Sequence, residues 1–273
     1  MKKNNSVLLS TPYILFMVIF TLIPLGVVGY YALTDPATGA FSWVNILNLK
    51  MYLPVLWQSI LYSLVSAFIC LLLGYPVAYY IAHTGPVAQK LLYMLVMLPM
   101  CMSFLLRTLA WVGLLQDTGI INDILEAIGI GRLQLIRTPG AVVLGMVYNY
   151  LPYMILPLYA TLVKIDNRLI EAAEDLGCNS LQTFTKVIFP LSVPGIFSGI
   201  TMVFVPAVST FYISQKLGGT DTVLIGDLIE RLFKQGDNPN LGAVLSLVLM
   251  VLVLVCTGIM NRLGGEEEGG VIV

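Results

Sequence analysis

The sequence is poor in charge and contains one histidine. Of its 273 residues, 11% are Asp, Glu, Lys or Arg, whereas about 25% is usual in a soluble domain. The formal net charge of −1 leaves no broad basic surface for nucleic acid. The single histidine, His83, excludes metal sites built from several histidines and most histidine-based catalysis. We therefore expect no nucleic-acid partner and no metal site.

Motifs of common enzyme classes are also missing. The sequence contains no G-x4-G-K-[ST] phosphate loop, no H-E-x-x-H and no G-x-S-x-G. Its four cysteines form no C-x-x-C pair and fall mostly in apolar stretches, which predicts buried free thiols and argues against a disulfide framework. We therefore expect no catalytic residue and no cofactor bound by this chain.

Apolar side chains, by contrast, are abundant. They make up 58% of the chain, and the mean hydropathy is +0.89. A soluble fold of this length cannot hide that much apolar surface from water. The composition therefore predicts a protein that crosses a membrane several times.

Six runs are long enough to cross the hydrocarbon core, which takes about 20 mostly apolar residues per helix. Their length and even apolarity argue against barrel strands, so we predict an all-α membrane protein with six transmembrane helices. Five runs carry no Asp, Glu, Lys or Arg, and the third carries Arg107 alone. The runs are 7–33, 55–82, 91–115, 139–163, 191–215 and 241–261.

Charge near the ends of the runs bears on orientation. The first run is too long for the core of a signal peptide, and no A-x-A site follows it, so we expect a retained span. With the N-terminus in the cytoplasm, the inner segments carry seven positive charges and the outer segments six. This bias follows the positive-inside rule only weakly. Lys2 and Lys3, directly before the first run, favour the same orientation.

Prolines fall in five of the six runs. An intramembrane proline removes a backbone donor and tends to kink its helix, so we expect kinked helices around a cavity that moves. Proline is also common in membrane helices without such a role. Gly195 and Gly199 form a small-x3-small pair, which would let another helix approach closely.

The segment 164–190 has the pattern of two short amphipathic helices between two spans. We predict that Asp166 caps the first helix and that Leu169, Ala173 and Leu176 share one of its faces. Gly177 is expected to end this helix, because glycine adopts the left-handed conformation without steric cost.

The second short helix is predicted to start at a Ser180 cap and to end at Pro190, with Leu181, Phe184 and Ile188 as its apolar stripe. The charged side chains of segment 164–190 sum to −1. A helix pair lying on a lipid surface would favour a basic face. We therefore expect segment 164–190 to dock on a protein partner.

The same segment resembles the EAA loop of binding-protein-dependent ABC importer permeases, whose pattern is E-A-A-x3-G-x9-I-x-L-P. The spacing is fully kept. The matching residues are Glu171, Ala172, Ala173, Gly177 and Pro190, with Val187 and Phe189 in place of the usual Ile and Leu.

Similarity to the spermidine/putrescine subgroup of these permeases extends over residues 58–261 and includes RTLAWVGLL (107–115) and TPGAVVLGMVYNYLPYMILPLYA (138–160). It implies the type I ABC importer permease fold with kinked helices and a cytoplasmic coupling-helix loop. On this basis residues 1–54 form an added N-terminal helix and outer segment. Residues 55–262 form a permease core of five helices, and residues 263–273 form a cytoplasmic tail.

The resemblance also implies partners. The first helix of segment 164–190 would dock on one of two cytoplasmic ATPase subunits, which would bind ATP and Mg²⁺. This makes the segment, the N-terminus and the C-terminus cytoplasmic. A second permease subunit would complete the pathway, and an extracytoplasmic solute-binding protein would deliver the polyamine. The implied location is the lipid bilayer of a prokaryotic plasma membrane.

No acidic residue falls in any run, so a cationic solute would be held by aromatic faces and hydroxyls or by acids from another subunit. Arg107 would repel a cation, and we assign it a structural or gating role. Many rings simply pack helices or form interfacial belts. The candidates that line the pathway are Tyr148, Tyr150, Tyr153, Trp111, Phe211 and Tyr212.

Five acidic residues lie in the two longer outer segments. They are either solvated, or attract a cation, or contact the binding protein. They are Asp117, Asp123, Glu126, Asp221 and Asp227.

Other functions remain open at this point. An ABC permease for another small solute would share the EAA loop. An ion-coupled secondary transporter would be expected to carry acids in its spans and often an internal repeat, and the sequence shows neither. A membrane scaffold without transport activity would use segment 164–190 only for docking.

Overall fold

The structure is a computed structural model that describes residues 12–13, 15–35, 39–41, 43, 48–234 and 238–264, apart from the side chain of Asp221. The predictions for Lys2, Lys3 and the tail beyond residue 264 lie outside these residues, as does part of the first apolar run.

Helices account for most of the described chain, because a helix satisfies its own backbone hydrogen bonds within an apolar segment. Strand-like pairing among the described residues is limited to one isolated bridge, Thr34–Phe41. The all-α class is therefore confirmed. The helices are α1 Ile23–Ala32, α2 Leu53–Ala82, α3 Pro86–Met97, α4 Phe104–Leu115, α5 Ile120–Ala127, α6 Pro139–Leu162, α7 Asn167–Asp175, α8 Ser180–Thr183, α9 Phe189–Val208, α10 Tyr212–Leu217, α11 Ile225–Lys234 and α12 Pro239–Gly264.

Six helical segments of the described chain are long and apolar enough to cross a membrane, which confirms the predicted number. A shorter apolar helical segment, Pro86–Cys101, lies between the second and third of them. The six are Leu15–Ala32, Leu49–Ala82, Phe104–Ala127, Pro139–Leu162, Ser180–Val208 and Pro239–Gly264.

The predicted third span, 91–115, is wrong as a single helix. α3 passes into a 3-10 turn at Leu98–Cys101, and Met102 is extended with ψ of 148°. Pro99 removes a backbone donor in this turn, which favours a break. A new helix, α4, starts at Phe104, so Arg107 lies on its first turn and not within one continuous helix over 91–115.

The predicted fifth span, 191–215, is displaced. The helical run starts at Ser180, passes through a π-turn at Phe184–Ile188 and ends at Val208. Pro190 does not close a separate short helix as predicted. The π-turn, in which the Phe189 N–H donates to the Phe184 carbonyl, shifts the hydrogen-bond register just before the proline and lets the helix continue.

The chain forms two compact units, one of Met1–Pro54 and Leu228–Leu252 and one of Val55–Asp227 and Val253–Val273. In the first unit, Ala32, Ala243 and Val244 form a small buried core. The buried amide of Asn240 donates to the Thr34 carbonyl at 2.7 Å. This bond joins the start of α12 to the segment that follows α1.

In the second unit, α9 packs along α6. A Cβ added at Gly195 would lie 2.8 Å from the Thr161 Cβ and 3.1 Å from the Pro157 carbonyl oxygen. One added at Gly199 would lie 3.2 Å from the Met154 carbonyl oxygen. The predicted small-x3-small pair therefore does permit a close helix contact, and α6 is the helix that approaches.

Small side chains of α2 also face α6. The Ser66 hydroxyl lies 3.4 Å from the Met146 sulfur, and a Cβ at Gly74 would meet Met154 at 3.1 Å. Cys70 is fully buried beside them. All four cysteines are free, but of the predicted buried thiols only Cys70 is buried; Cys178 and Cys256 are half-buried and Cys101 is exposed.

We predict that Gly195→Val destabilises the full-length protein by about 1–3 kcal/mol, because the new side chain would overlap the Thr161 side chain and crowd the Pro157 carbonyl of α6. Thermal denaturation in detergent measures the effect. Gly258→Val, in α12, is the matched control, since a Cβ there has no neighbour within 4 Å. It should be neutral or slightly stabilising. Equal melting temperatures for the two variants would contradict the close packing.

Candidate functional site

Both ends of α7, the first short helix of segment 164–190, are capped with regular geometry. The Asp166 side chain accepts from the Arg168 backbone N–H at 3.0 Å, so the predicted N-cap of α7 is confirmed. Gly177 takes a φ of 84°, as predicted. The Gly177 N–H donates to the Glu174 carbonyl, and the Cys178 N–H donates to the Ala173 carbonyl. These two bonds form a Schellman motif, which fixes the direction of the chain after α7.

Only part of the predicted apolar face of α7 packs within the chain. Ala173 is buried and Ile170 packs against the core of the second unit, whereas Leu169 is 48% exposed and Leu176 is 86% exposed. The inward side of α7 is therefore formed by Ala173 with Ile170, which was not part of the predicted face. Ile170 and Ala173 are three residues apart, which is equally compatible with one side of a helix.

The N-cap of the second short helix, α8, lies one residue earlier than predicted. The cap of α8 is Asn179, not Ser180, and it forms a capping box with Gln182. Ile188 is buried and Phe184 packs against the core, as the predicted stripe requires, but Leu181 is 71% exposed.

The outward side of segment 164–190 therefore combines exposed leucines with carboxylates. Leu169, Leu176 and Leu181 are exposed. Glu171, Glu174 and Asp175 on α7 are exposed as well, and so are the other EAA-loop residues except Ala173, which is buried, and Val187, which is half-buried. Exposed apolar side chains next to charges are typical of a protein-docking surface.

Residues 209–211, which follow the C-terminal end of α9, help to line a cavity of about 320 Å³ in the second unit. α4 and α6 supply the rest of its wall. Phe211 is 42% exposed at the surface. The lining residues are Phe104, Arg107, Asn149, Tyr150, Tyr153, Ser209, Thr210, Phe211 and Tyr212.

Four of the six aromatic candidates line this cavity, namely Tyr150, Tyr153, Phe211 and Tyr212. The other two do not. Trp111 and Tyr148 pack edge to face, with ring centroids 5.4 Å apart. Successive helix residues are about 100° apart, so Tyr148 cannot share a face with Tyr150.

Two buried polar side chains of the cavity are only partly satisfied. Arg107 is 5% exposed, and its Nε and Nη1 have no hydrogen-bond partner among the described residues. Asn149 is fully buried; its amide nitrogen donates to the Gly145 carbonyl at 2.9 Å, while its Oδ1 has no partner there. Burying such groups costs free energy unless a hydrogen-bond partner satisfies them.

Three of the five acids predicted to lie in the outer segments have partners among the described residues. The Arg132 guanidinium contacts the Asp123 carboxylate at 3.3 Å and the Glu126 carboxylate at 2.9 Å. The hydrogen bond to Glu126 raises the pKa of Arg132. Asp227 is buried and accepts from the Gln215 amide at 2.9 Å. These contacts argue against Asp123, Glu126 and Asp227 as open sites for a cation.

Sequence reasoning missed Phe104, Asn149, Ser209 and Thr210 as lining residues. Asn149 carried a signal, since a polar amide inside an uncharged run needs an explanation. The other three depend on where α4 begins and α9 ends, which the run lengths placed differently.

The helical fold with this loop and cavity is that of an ABC importer permease. The chain matches a chain of a bacterial alginate ABC transporter, solved in complex with an alginate pentasaccharide-bound periplasmic protein, with a TM-score of 0.76. The match covers 95% of this chain and 94% of that chain at 19% identity, which shows the fold alone.

Sequence similarity defines the family. Residues 71–264 match the binding-protein-dependent transport system inner membrane component, and the chain belongs to this family. It is therefore a multi-pass inner-membrane permease subunit of an ABC importer, a transport component and not an enzyme.

Two relatives share most of its length. The spermidine/putrescine transport system permease protein PotB of Haemophilus influenzae is 37% identical over 95% of this chain and 94% of that protein. The protein of the same name from Escherichia coli is 35% identical over 87% of this chain and 90% of that protein.

We predict that the cavity is open to water. In a cysteine-free background, Phe211→Cys should react with a charged, membrane-impermeant thiol reagent, because this side chain is exposed beside the cavity. Met154→Cys is the control, since Met154 is fully buried in the same unit. Reaction rates are measured by mass spectrometry on the purified protein. Equal rates at the two positions would contradict an open cavity.

Proposed function

We propose that this permease subunit carries spermidine or putrescine into the cell, driven by a separate ATPase. The observation that carries the proposal is the 37% identity to a spermidine/putrescine permease along 95% of the chain. Such a match includes the cavity-lining segments as well as the shared loop.

Segment 164–190 is proposed as the coupling loop. Glu171, Ala172 and Gly177 are exposed on its outward side, next to the exposed Leu176. The Schellman bend at Gly177 holds α7 in one orientation, so a partner that grips α7 would move the chain on both sides of it. Pro190 lies two residues beyond the π-turn, at the start of α9.

The remaining partners follow from this role. Two cytoplasmic ATPase subunits bind ATP and Mg²⁺, a second permease subunit completes the pathway, and an extracytoplasmic binding protein delivers the cargo. The loop and both termini face the cytoplasm in this arrangement. Residues 1–54, 55–262 and 263–273 serve as the added helix with its outer segment, the permease core and the tail.

The cargo path is proposed to pass the cavity. Tyr150, Tyr153, Phe211 and Tyr212 offer ring faces there. A cation over an aromatic face gains about 0.5–2 kcal/mol. Such weak contacts suit a pathway that must also release its cargo, and Trp111 and Tyr148 would support the wall from outside the cavity.

Uptake of labelled polyamine tests the cargo. Cells that lack their own polyamine importers should take up labelled spermidine or putrescine when they express this chain with its ATPase, second permease and binding protein. Uptake should stop when the ATPase cannot hydrolyse ATP. Uptake that continues with the dead ATPase and collapses with the ion gradient would support a secondary transporter. Uptake of a different solute alone would redirect the cargo assignment and leave the permease role intact.

We predict that Glu171→Lys uncouples transport from hydrolysis. The reversed charge would face the partner at the docking surface, so uptake per ATP hydrolysed in proteoliposomes should fall severalfold. Asp117→Lys is the matched control, because Asp117 is also exposed and the substitution makes the same change of charge. In the proposed topology Asp117 lies in an outer segment, away from the docking surface. Equal losses in both variants would contradict a specific role for Glu171.

Gly177→Val should uncouple transport by a different route. Its Cβ would have open space, so the cost is confined to the left-handed backbone, about 1–2 kcal/mol. Gly177→Asn should be milder, because asparagine tolerates this conformation. The same ratio of uptake to hydrolysis measures both. Wild-type coupling in Gly177→Val would show that the bend does not transmit the motion.

A further inference from the structure

Arg107 is buried in the cavity without a carboxylate partner among the residues that the structure describes. Its side chain is 5% exposed, and two of its three guanidinium nitrogens are buried without a partner. The residues that line the cavity with it include an amide, hydroxyls and rings, but no carboxylate. An unpaired buried charge is strongly destabilising.

The surroundings add further positive potential. Arg107 lies on the first turn of α4, where the helix N-terminus carries a partial positive charge. Ser103, at the cap position, makes no side-chain capping bond to the helix. The Lys216 ammonium lies 5.7 Å from the centroid of the Tyr212 ring, and that ring lines the same cavity. These features together favour an anionic group in the cavity.

The six apolar runs of the sequence contain no Asp or Glu that could supply this group. A cationic cargo, on the other hand, requires acids somewhere along its path. We propose that a carboxylate side chain of the second permease subunit enters the cavity and pairs with Arg107. One group then serves both needs: it neutralises Arg107 in the resting assembly and supplies the acid that this chain lacks.

This inference rests on the proposed assembly with a second permease, but not on the identity of the cargo. The cavity opens beside the exposed residues Ser209 and Phe211, which leaves room for a side chain from outside. A carboxylate suits the site because a charged hydrogen bond to arginine is strong and directional.

The test uses charge reversal in the complete complex of permeases and ATPases. Arg107→Glu should reduce the amount of assembled complex roughly a hundredfold, since two carboxylates would then face each other. Each Asp and Glu of the second permease is then changed to Lys in that background. One of these changes should restore assembly and melting temperature, and should harm the complex that retains Arg107.

Lys90→Glu is the control, because it makes the same change from a positive to a negative side chain at an exposed position that does not line the cavity. The restoring change in the second permease should not rescue any defect that it causes. The readouts are assembly and thermal stability, so they remain valid whichever solute the importer carries.

Three results would overturn the proposal. The first is that no acid of the second permease rescues Arg107→Glu. The second is a wild-type complex whose stability depends on chloride or acetate, with the dependence lost in Arg107→Met, because a small free anion would then fill the site. The third is a complex that contains two copies of this chain and no second permease.

Discussion

The close contact between α6 and α9 is the interaction on which the second unit depends. Gly195 and Gly199 let the two backbones approach, with Thr161 and Met154 filling the space that side chains would occupy. Without a hydrophobic effect between helices in lipid, such van der Waals packing is a main source of stability. The same contact positions both functional regions, because α9 follows the loop at one end and leads into the cavity wall at the other.

Charge is distributed sparingly and unevenly around this helix pair. The carboxylates of α7 are exposed on the loop, where water and a partner can solvate them. The carboxylates of Asp123 and Glu126 share one partner, the Arg132 guanidinium. Among the described residues, Arg107 is the buried cation whose Nε and Nη1 have no hydrogen-bond partner. This uncompensated charge lies in the cavity.

The sequence was sufficient for the fold class and for much of the loop. Apolar run length depends directly on bilayer thickness, so six spans followed from composition. Asp166 and Gly177 were predictable because capping is a local interaction between a few residues. Asn179 was also predictable in principle, since N-x-x-Q at 179–182 is a capping-box pattern that competes with a Ser180 cap.

The errors have physical causes. Hydropathy does not distinguish α-helical from π or 3-10 hydrogen bonding, so the π-turn before Pro190 and the break at Met102 were missed. The start of α4 and the end of α9 depend on tertiary packing, and the cavity lies where those ends meet. Tyr148 was separable from Tyr150 and Tyr153 by helical angle alone, because residues two apart point to nearly opposite sides.

α9 joins the loop to the cavity as one continuous rod. It remains helical from Phe189 to Val208 although Pro194 and Pro206 each lack a backbone N–H donor. Regular α-helical bonding changes at its two ends, at the π-turn Phe184–Ile188 and at the non-helical residues 209–211. The second of them carries Ser209, Thr210 and Phe211, which line the cavity. In the proposed coupling mechanism, a shift of α9 as a unit would therefore displace these three lining residues.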